Sequence, residues 1–134
     1  MYSLPVRIYW EDTDAGGVVY HARYVAFMER ARSEWMRAQG HGQDALRATY
    51  GVVFAVRAMT LDFLKPARLD DAVDVTAELA DCRRASLVFR QAVLRGGERL
   101  CEATVRIASL DAASFRPAAI PDALHAQLLA LQTP

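Results

Sequence analysis

The sequence predicts an α+β domain: one long helix inserted after a first strand, then four strands, largely in meander order. Three observations predict it. An apolar stripe with helical spacing follows a Gly-Gly pair early in the chain. Runs of period-two alternation fill the later half, and a second Gly-Gly pair separates two of those runs as a hairpin turn would.

In chain order, a strand is expected over Val6 to Trp10, and a connection from Glu11 to His21 follows it. Tyr24, Phe27, Met28, Ala31 and Trp35 then recur at three- and four-residue spacing, while Glu29, Arg30, Arg32, Glu34 and Arg37 occupy much of the rest. That predicts a helix starting near His21 and stopping at Gly40. Its large apolar side chains each contribute about 1.5–3 kcal/mol on burial. Gly42 to Tyr50 reads as a short helical turn. Val52 to Leu64 is extended, with Lys65-Pro66 ending it. Its alternation is poor around Arg57, Thr60 and Asp62. A strand apolar on both faces needs cover on both sides, so a subunit contact is expected there.

Val73, Val75, Ala77 and Leu79 alternate with polar residues, the mark of a half-buried strand. Leu87 to Leu94 is a further strand, and Gly96-Gly97 turns it into the next one, where Cys101, Ala103, Val105 and Ile107 alternate with Glu102, Thr104 and Arg106. Pro121 to Leu131 reads as a short C-terminal helix with Pro121 near its start. Residues 1–134 show no repeat, linker or low-complexity tract and read as one domain.

Sixteen basic and sixteen acidic residues cancel, which argues against a nucleic-acid binder. No secretory signal or membrane-length apolar run is visible. Cys82 and Cys101 have no metal-type spacing, and His21, His41 and His125 are scattered. A cytoplasmic protein with reduced, buried thiols and no bound metal is expected. There is no Gly-x-Ser-x-Gly elbow and no glycine-rich phosphate loop. Asp12, Asp14 and Gly17 mimic the start of a calcium loop, but that register puts Arg23 where the bidentate glutamate belongs.

The chemistry concentrates in Glu11 to His21, which holds three carboxylates, the Gly16-Gly17 pair and a histidine just before the helix. Adjacent glycines let backbone N–H groups approach a ligand. The first helical turn presents unpaired donors with partial positive charge. Asp12 or Asp14 could equally form a turn or a cap.

The string EDTDAGGVVYHARY, continuing through FMERARSEW, together with VFAVRAMTLDFLKPARLDD and SLVFRQAVL, resembles the acyl-CoA thioesterases of the 4-hydroxybenzoyl-CoA thioesterase superfamily. Within these it is similar to the bacterial branch associated with the Tol–Pal envelope system. The resemblance implies the hotdog fold, a five-stranded antiparallel sheet wrapped around one long helix, and thioester hydrolysis at a subunit interface. Asp14 aligns with the catalytic aspartate, as nucleophile or as general base activating water. The oxyanion donors would be helix N-terminal amides near His21. His21 aligns with a histidine of the branch, to assist Asp14, orient substrate or simply begin the helix.

Gly16, Gly17 and Tyr20 complete the expected loop. Trp10 stands where the branch commonly has tyrosine, keeping a ring and an N–H but losing the phenol. Glu29 and Glu34 are alternative carboxylates on the helix. Coenzyme A enters as part of the substrate, so no separate cofactor is expected. Lys65, Arg68, Arg83, Arg84 and Ser86 are the candidates for holding its nucleotide. A homodimer pairing further into a homotetramer is implied, with Asp14 of one subunit facing the helix start of the other. Acyl carrier protein remains open as the acyl donor. An acyl-chain hydratase or dehydratase, or a non-catalytic partner of acyl carrier protein or envelope machinery, are the competing readings.

Overall fold

The computed structural model describes every residue, Met1–Pro134. Strand β1 (Tyr2–Arg7) leads through a 3-10 turn (Trp10–Asp12) into helix α1 (His21–Ala38). A short helix α2 (Gln43–Tyr50) precedes β2 (Val52–Phe63), β3 (Ala72–Cys82), β4 (Ser86–Arg95) and β5 (Glu98–Asp111). Helix α3 (Asp122–Ala130) closes the chain. The five strands form one antiparallel sheet in the order β1-β3-β4-β5-β2. The sheet packs around α1 in the hotdog arrangement.

The helical stripe is buried as its spacing predicts: Tyr24, Phe27, Met28, Ala31 and Trp35 all lie in the core. Arg32, expected on the polar side, is buried with them. At the helix end Gly40 takes a left-handed φ of 90°. There the His41 amide donates to Met36 O and the Gly40 amide to Arg37 O, a Schellman closure.

Three expectations change. The first strand lies earlier than Val6 to Trp10, because the Asp12 carboxylate takes the Tyr9 amide and folds Trp10–Asp12 into a 3-10 turn. Only β3, β4 and β5 form a meander; β2 crosses to the far edge and pairs with β5. And β2 is not apolar on both faces. A bulge between Val56 and Ala58 shifts its alternation by one residue. Phe54 and Val56 before it, and Met59, Leu61 and Phe63 after it, all face the α1 side, opposite the inward residues Ile107, Val105, Ala103 and Cys101. The other face carries Arg57, Thr60 and Asp62.

The two edges differ. β1 is short and contains Pro5, which has no N–H to offer, whereas β2 is twelve residues long with one side unpaired. The register also sorts the loops. The end of β1, the start of β3, the Gly96-Gly97 hairpin and the end of β2 gather at one end of the sheet. The Cys82–Ser86 turn, Asp111 and the start of β2 lie at the other.

Candidate active site

Two aspartates two residues apart have opposite environments. Asp12 is buried. Its Oδ2 accepts the Tyr9 amide at 2.8 Å, and its Oδ1 accepts Arg23 Nε at 2.9 Å and Nη2 at 2.6 Å. Its carbonyl takes the Tyr20 amide. Asp12 therefore ties the loop to the first turn of α1, and the turn-forming role belongs to it.

Asp14 is exposed on a tight loop bridged at its base by Thr13 and Val19. Its amide donates to Val18 O and its carbonyl accepts the Gly17 amide. Gly17 holds a φ of 78°, which a side chain would strain. Asp14 Oδ1 accepts the Gly16 amide at 2.8 Å, and its Oδ2 has no partner within the chain. That oxygen is free to act.

The loop ends at Tyr20, which precedes α1 without capping it through its side chain. The amides of His21 and Ala22 donate to nothing within the chain. The His21 ring packs against Tyr20 at 4.6 Å and meets Phe63 edge-on at 6.3 Å between centroids. A groove of about 270 Å³ opens here, lined by Val18, His21, Tyr24, Phe63, Lys65 and their neighbours. Tyr24 closes its floor; its hydroxyl accepts the Ala67 amide at 3.0 Å, and burial raises its phenol above the ordinary value.

Beside the groove runs a charged chain. Lys65 Nζ pairs with Glu98 at 2.7 Å, Glu98 with Arg95 at 3.0 Å, and Arg95 with Asp71 at 2.8 Å. The Arg68 amide donates to Asp71, and the Arg68 guanidinium makes no ion pair within 4 Å. Hydrogen bonds from Lys65 and then Arg95 hold Glu98 below the usual carboxylate range. For Asp71, burial pushes the other way but is outweighed by the Arg95 side chain and the Arg68 amide, so it too is lowered.

The structure thus brings Asp14, Gly16, Gly17, Tyr20, His21, Lys65 and Arg68 to one end of the sheet. It does not bring Arg83, Arg84 and Ser86 there. They form the turn at the opposite end, where Arg83 pairs with Asp81 at 2.8 Å and Arg84 with Asp122 at 3.3 Å. Trp10 is 79% exposed and only its carbonyl is engaged, by Thr13. Glu29 bonds Ser33, and Glu34 pairs with Arg37 on the helix surface. Arg23, Phe63 and the Glu98–Arg95–Asp71 chain did not emerge from sequence reasoning. Each acts through a partner distant in sequence, which no local spacing signals.

Residues 8–128 match the thioesterase-like superfamily. The chain belongs to that superfamily. The acyl-CoA thioester hydrolase YbgC of Escherichia coli is 45% identical to this superfamily member over 128 residues, 95% of each chain. The acyl-CoA thioesterase YbgC of Haemophilus influenzae is 41% identical over 93% of this chain and 92% of its own. The crystal structure of a probable thioesterase from Bartonella henselae has a TM-score of 0.85 at 34% identity, covering 89% of this chain and 98% of that one. No helix of this thioesterase-like protein is long and apolar enough to cross a membrane.

Proposed function

We propose that this protein hydrolyses acyl-CoA thioesters to a free carboxylic acid and CoA, with Asp14 as its reacting carboxylate. The observation that carries this is the free Oδ2 of Asp14 on the loop that leads into a helix whose first-turn amides are unpaired, in a chain 45% and 41% identical to acyl-CoA thioester hydrolases over nearly their full length. Two routes fit. As a base, Asp14 takes a proton from water while the water oxygen bonds the thioester carbonyl carbon. The tetrahedral oxyanion collapses, the C–S bond breaks, and the CoA thiolate takes up that proton. As a nucleophile, Oδ2 itself attacks, the thiolate leaves, and water then cleaves the mixed anhydride.

In either route the charge grows on the carbonyl oxygen, where the His21 and Ala22 amides at the helix start of the facing subunit are the donors. One such donor is worth about 3–4 kcal/mol in the transition state. His21 orients the acyl group against Phe63 and Tyr20, and Gly16 and Gly17 give the thioester room beside Asp14. Lys65 borders the groove and Arg68 lies three residues on at the same end of the sheet, as contacts for the pantetheine and phosphates. The protein works in the cytoplasm on acyl-CoA, and acyl carrier protein is a second donor to assay.

The active assembly is a homodimer, pairing further into a tetramer. The unpaired β2 edge supports this, as do Val56 and Phe63 on the α1-facing side of that strand, 49% and 53% exposed in the single chain. Antiparallel two-fold pairing of β2 with its copy exchanges the ends of the sheets. It thereby carries Arg83 and Arg84 of one chain to the Asp14 end of the other.

The test is thiol release from a panel of aliphatic and aromatic acyl-CoA thioesters, with the matching acyl carrier protein thioesters. Turnover of at least one CoA thioester is expected. No release from any of them would overturn the reading, and hydration of an enoyl-CoA without thiol release would favour the hydratase alternative.

A further inference from the structure

Arg32 is the one buried guanidinium in the molecule, 8% exposed and without a carboxylate partner. Its Nη1 donates to Gln91 Oε1 at 2.9 Å. Gln91 is held in that orientation because its own NH₂ group donates to Met28 O at 3.0 Å and Thr76 O at 3.2 Å. A guanidinium has five N–H donors, and no other bond from Arg32 is made within the chain. Burying a charge against a single neutral acceptor is costly. Burial accordingly lowers its pKa from the ordinary arginine value, with Glu29 opposing.

The guanidinium borders a cavity of about 110 Å³ walled by Ser33, Met36, Phe54, Phe89 and Ile107. At about 30 Å³ of liquid volume per water, that is room for a terminal group of a few heavy atoms. Its apolar wall faces a polar side made by Arg32, Gln43 and the Glu29 carboxylate, which is engaged by the Ser33 hydroxyl; the remaining Arg32 donors are on that side. The cavity and the groove at His21 share no lining residue, but the same two elements, α1 and β2, contribute to both. His21, Val25, Glu29 and Arg32 follow one another along one side of α1, spanning roughly 16 Å at 1.5 Å per residue. The inward side chains of β2 run parallel to them, from Phe63 beside His21 through the half-buried Leu61 and Met59 to Val56 and Phe54 at the cavity.

We propose that this cavity receives the far end of the acyl group and that Arg32 selects acyl chains ending in an oxygen acceptor, a carboxylate or a hydroxyl, over plain alkyl chains of equal length. The inference rests on the thioesterase reading and names its substrate class. Arg32 is a specificity-determining residue here, remote from the bond that breaks. An oxygen at the chain end satisfies donors that an alkyl end leaves unpaired and buried, a difference that sites built for hydrogen bonding exploit strongly.

The test compares n-acyl-CoA thioesters of rising length with their ω-hydroxy and ω-carboxy counterparts, reading kcat/KM for each pair in the wild type, Arg32→Met and Arg32→Lys. At the length that reaches from the groove to the cavity, the wild type should favour an oxygen-tipped chain at least tenfold. In Arg32→Met that ratio should fall to one or invert while n-acyl turnover persists, and Arg32→Lys should retain part of it. If Arg32→Met fails to fold, the wild-type length profile decides alone. Turnover of n-acyl chains with no oxygen preference at any length overturns this inference and leaves the thioesterase reading standing. No turnover of any thioester overturns both.

Discussion

The amide of Gly16 donates to Asp14 Oδ1 across 2.8 Å, and a Cβ on Gly16 would stand 3.1 Å from that same oxygen. The glycine therefore both anchors the carboxylate and leaves it room. Gly16→Ala should push Asp14 off its position and lower kcat, with thermal stability nearly unchanged on an exposed loop.

Asp14→Asn should abolish thioester turnover and leave fold and assembly intact. The amide is nearly isosteric, still accepts the Gly16 N–H through its carbonyl oxygen, and can serve neither as base nor readily as nucleophile. Steady-state assays with circular dichroism check this. Retention of more than about a tenth of wild-type kcat, a loss below about 1.4 kcal/mol, would remove Asp14 from the mechanism.

Asp12→Asn should do the reverse, acting first on stability. An amide has one carbonyl oxygen where the carboxylate uses two, so either the Tyr9 amide or the Arg23 guanidinium loses its acceptor. Losing one such charge-assisted bond costs about 2 kcal/mol, or roughly 6–10 °C in Tm for a chain of this size. Calorimetry would show it.

Arg83→Ala with Arg84→Ala should raise KM for acyl-CoA and change turnover of a truncated pantetheine thioester less, since a phosphate contact remote from the carbonyl is lost as uniform binding. Both side chains are more than two-thirds exposed and paired only with surface carboxylates, so folding should be unaffected. Mixed dimers of the Arg83/Arg84 double variant with Asp14→Asn should regain one intact site of two. A fully active monomer by light scattering at micromolar concentration would defeat the shared-site arrangement.

The charged chain beside the groove predicts an acid limb. Glu98 and Asp71 are held below their ordinary values, so they bind fewer protons folded than unfolded. Their contribution is complete above the unfolded carboxylate pKa of about 4 and disappears as pH falls through the folded values. Urea midpoints at pH 7, 5 and 3 should fall less steeply below pH 5 in Glu98→Gln with Asp71→Asn than in the wild type.

Much of the fold was legible because its signals are local. The Tyr24-to-Trp35 stripe, the alternation in β3 and β5 and the Gly96-Gly97 turn each fit within a few residues. The partner of β2 was not legible, because its pairing with β5 joins residues some forty positions or more apart. The bulge at Arg57 made a regular strand look apolar on both faces. The site divided in the same way. Asp14 with its glycines and helix start forms one continuous segment, whereas the Asp12–Arg23 tie, the Lys65–Glu98 pair and the burial of Arg32 depend on tertiary placement.

Pro5 on β1 has a consequence for how far assembly runs. A flat sheet with two receptive edges can add copies without end, each new chain offering a fresh template to the next. Here β1 is six residues long and interrupted by an imino acid, so it presents a broken row of donors to any incoming strand. Of the two edges, β2 is therefore the receptive one, and in the proposed dimer it would be consumed by its copy, so that edge-to-edge addition would stop at two chains.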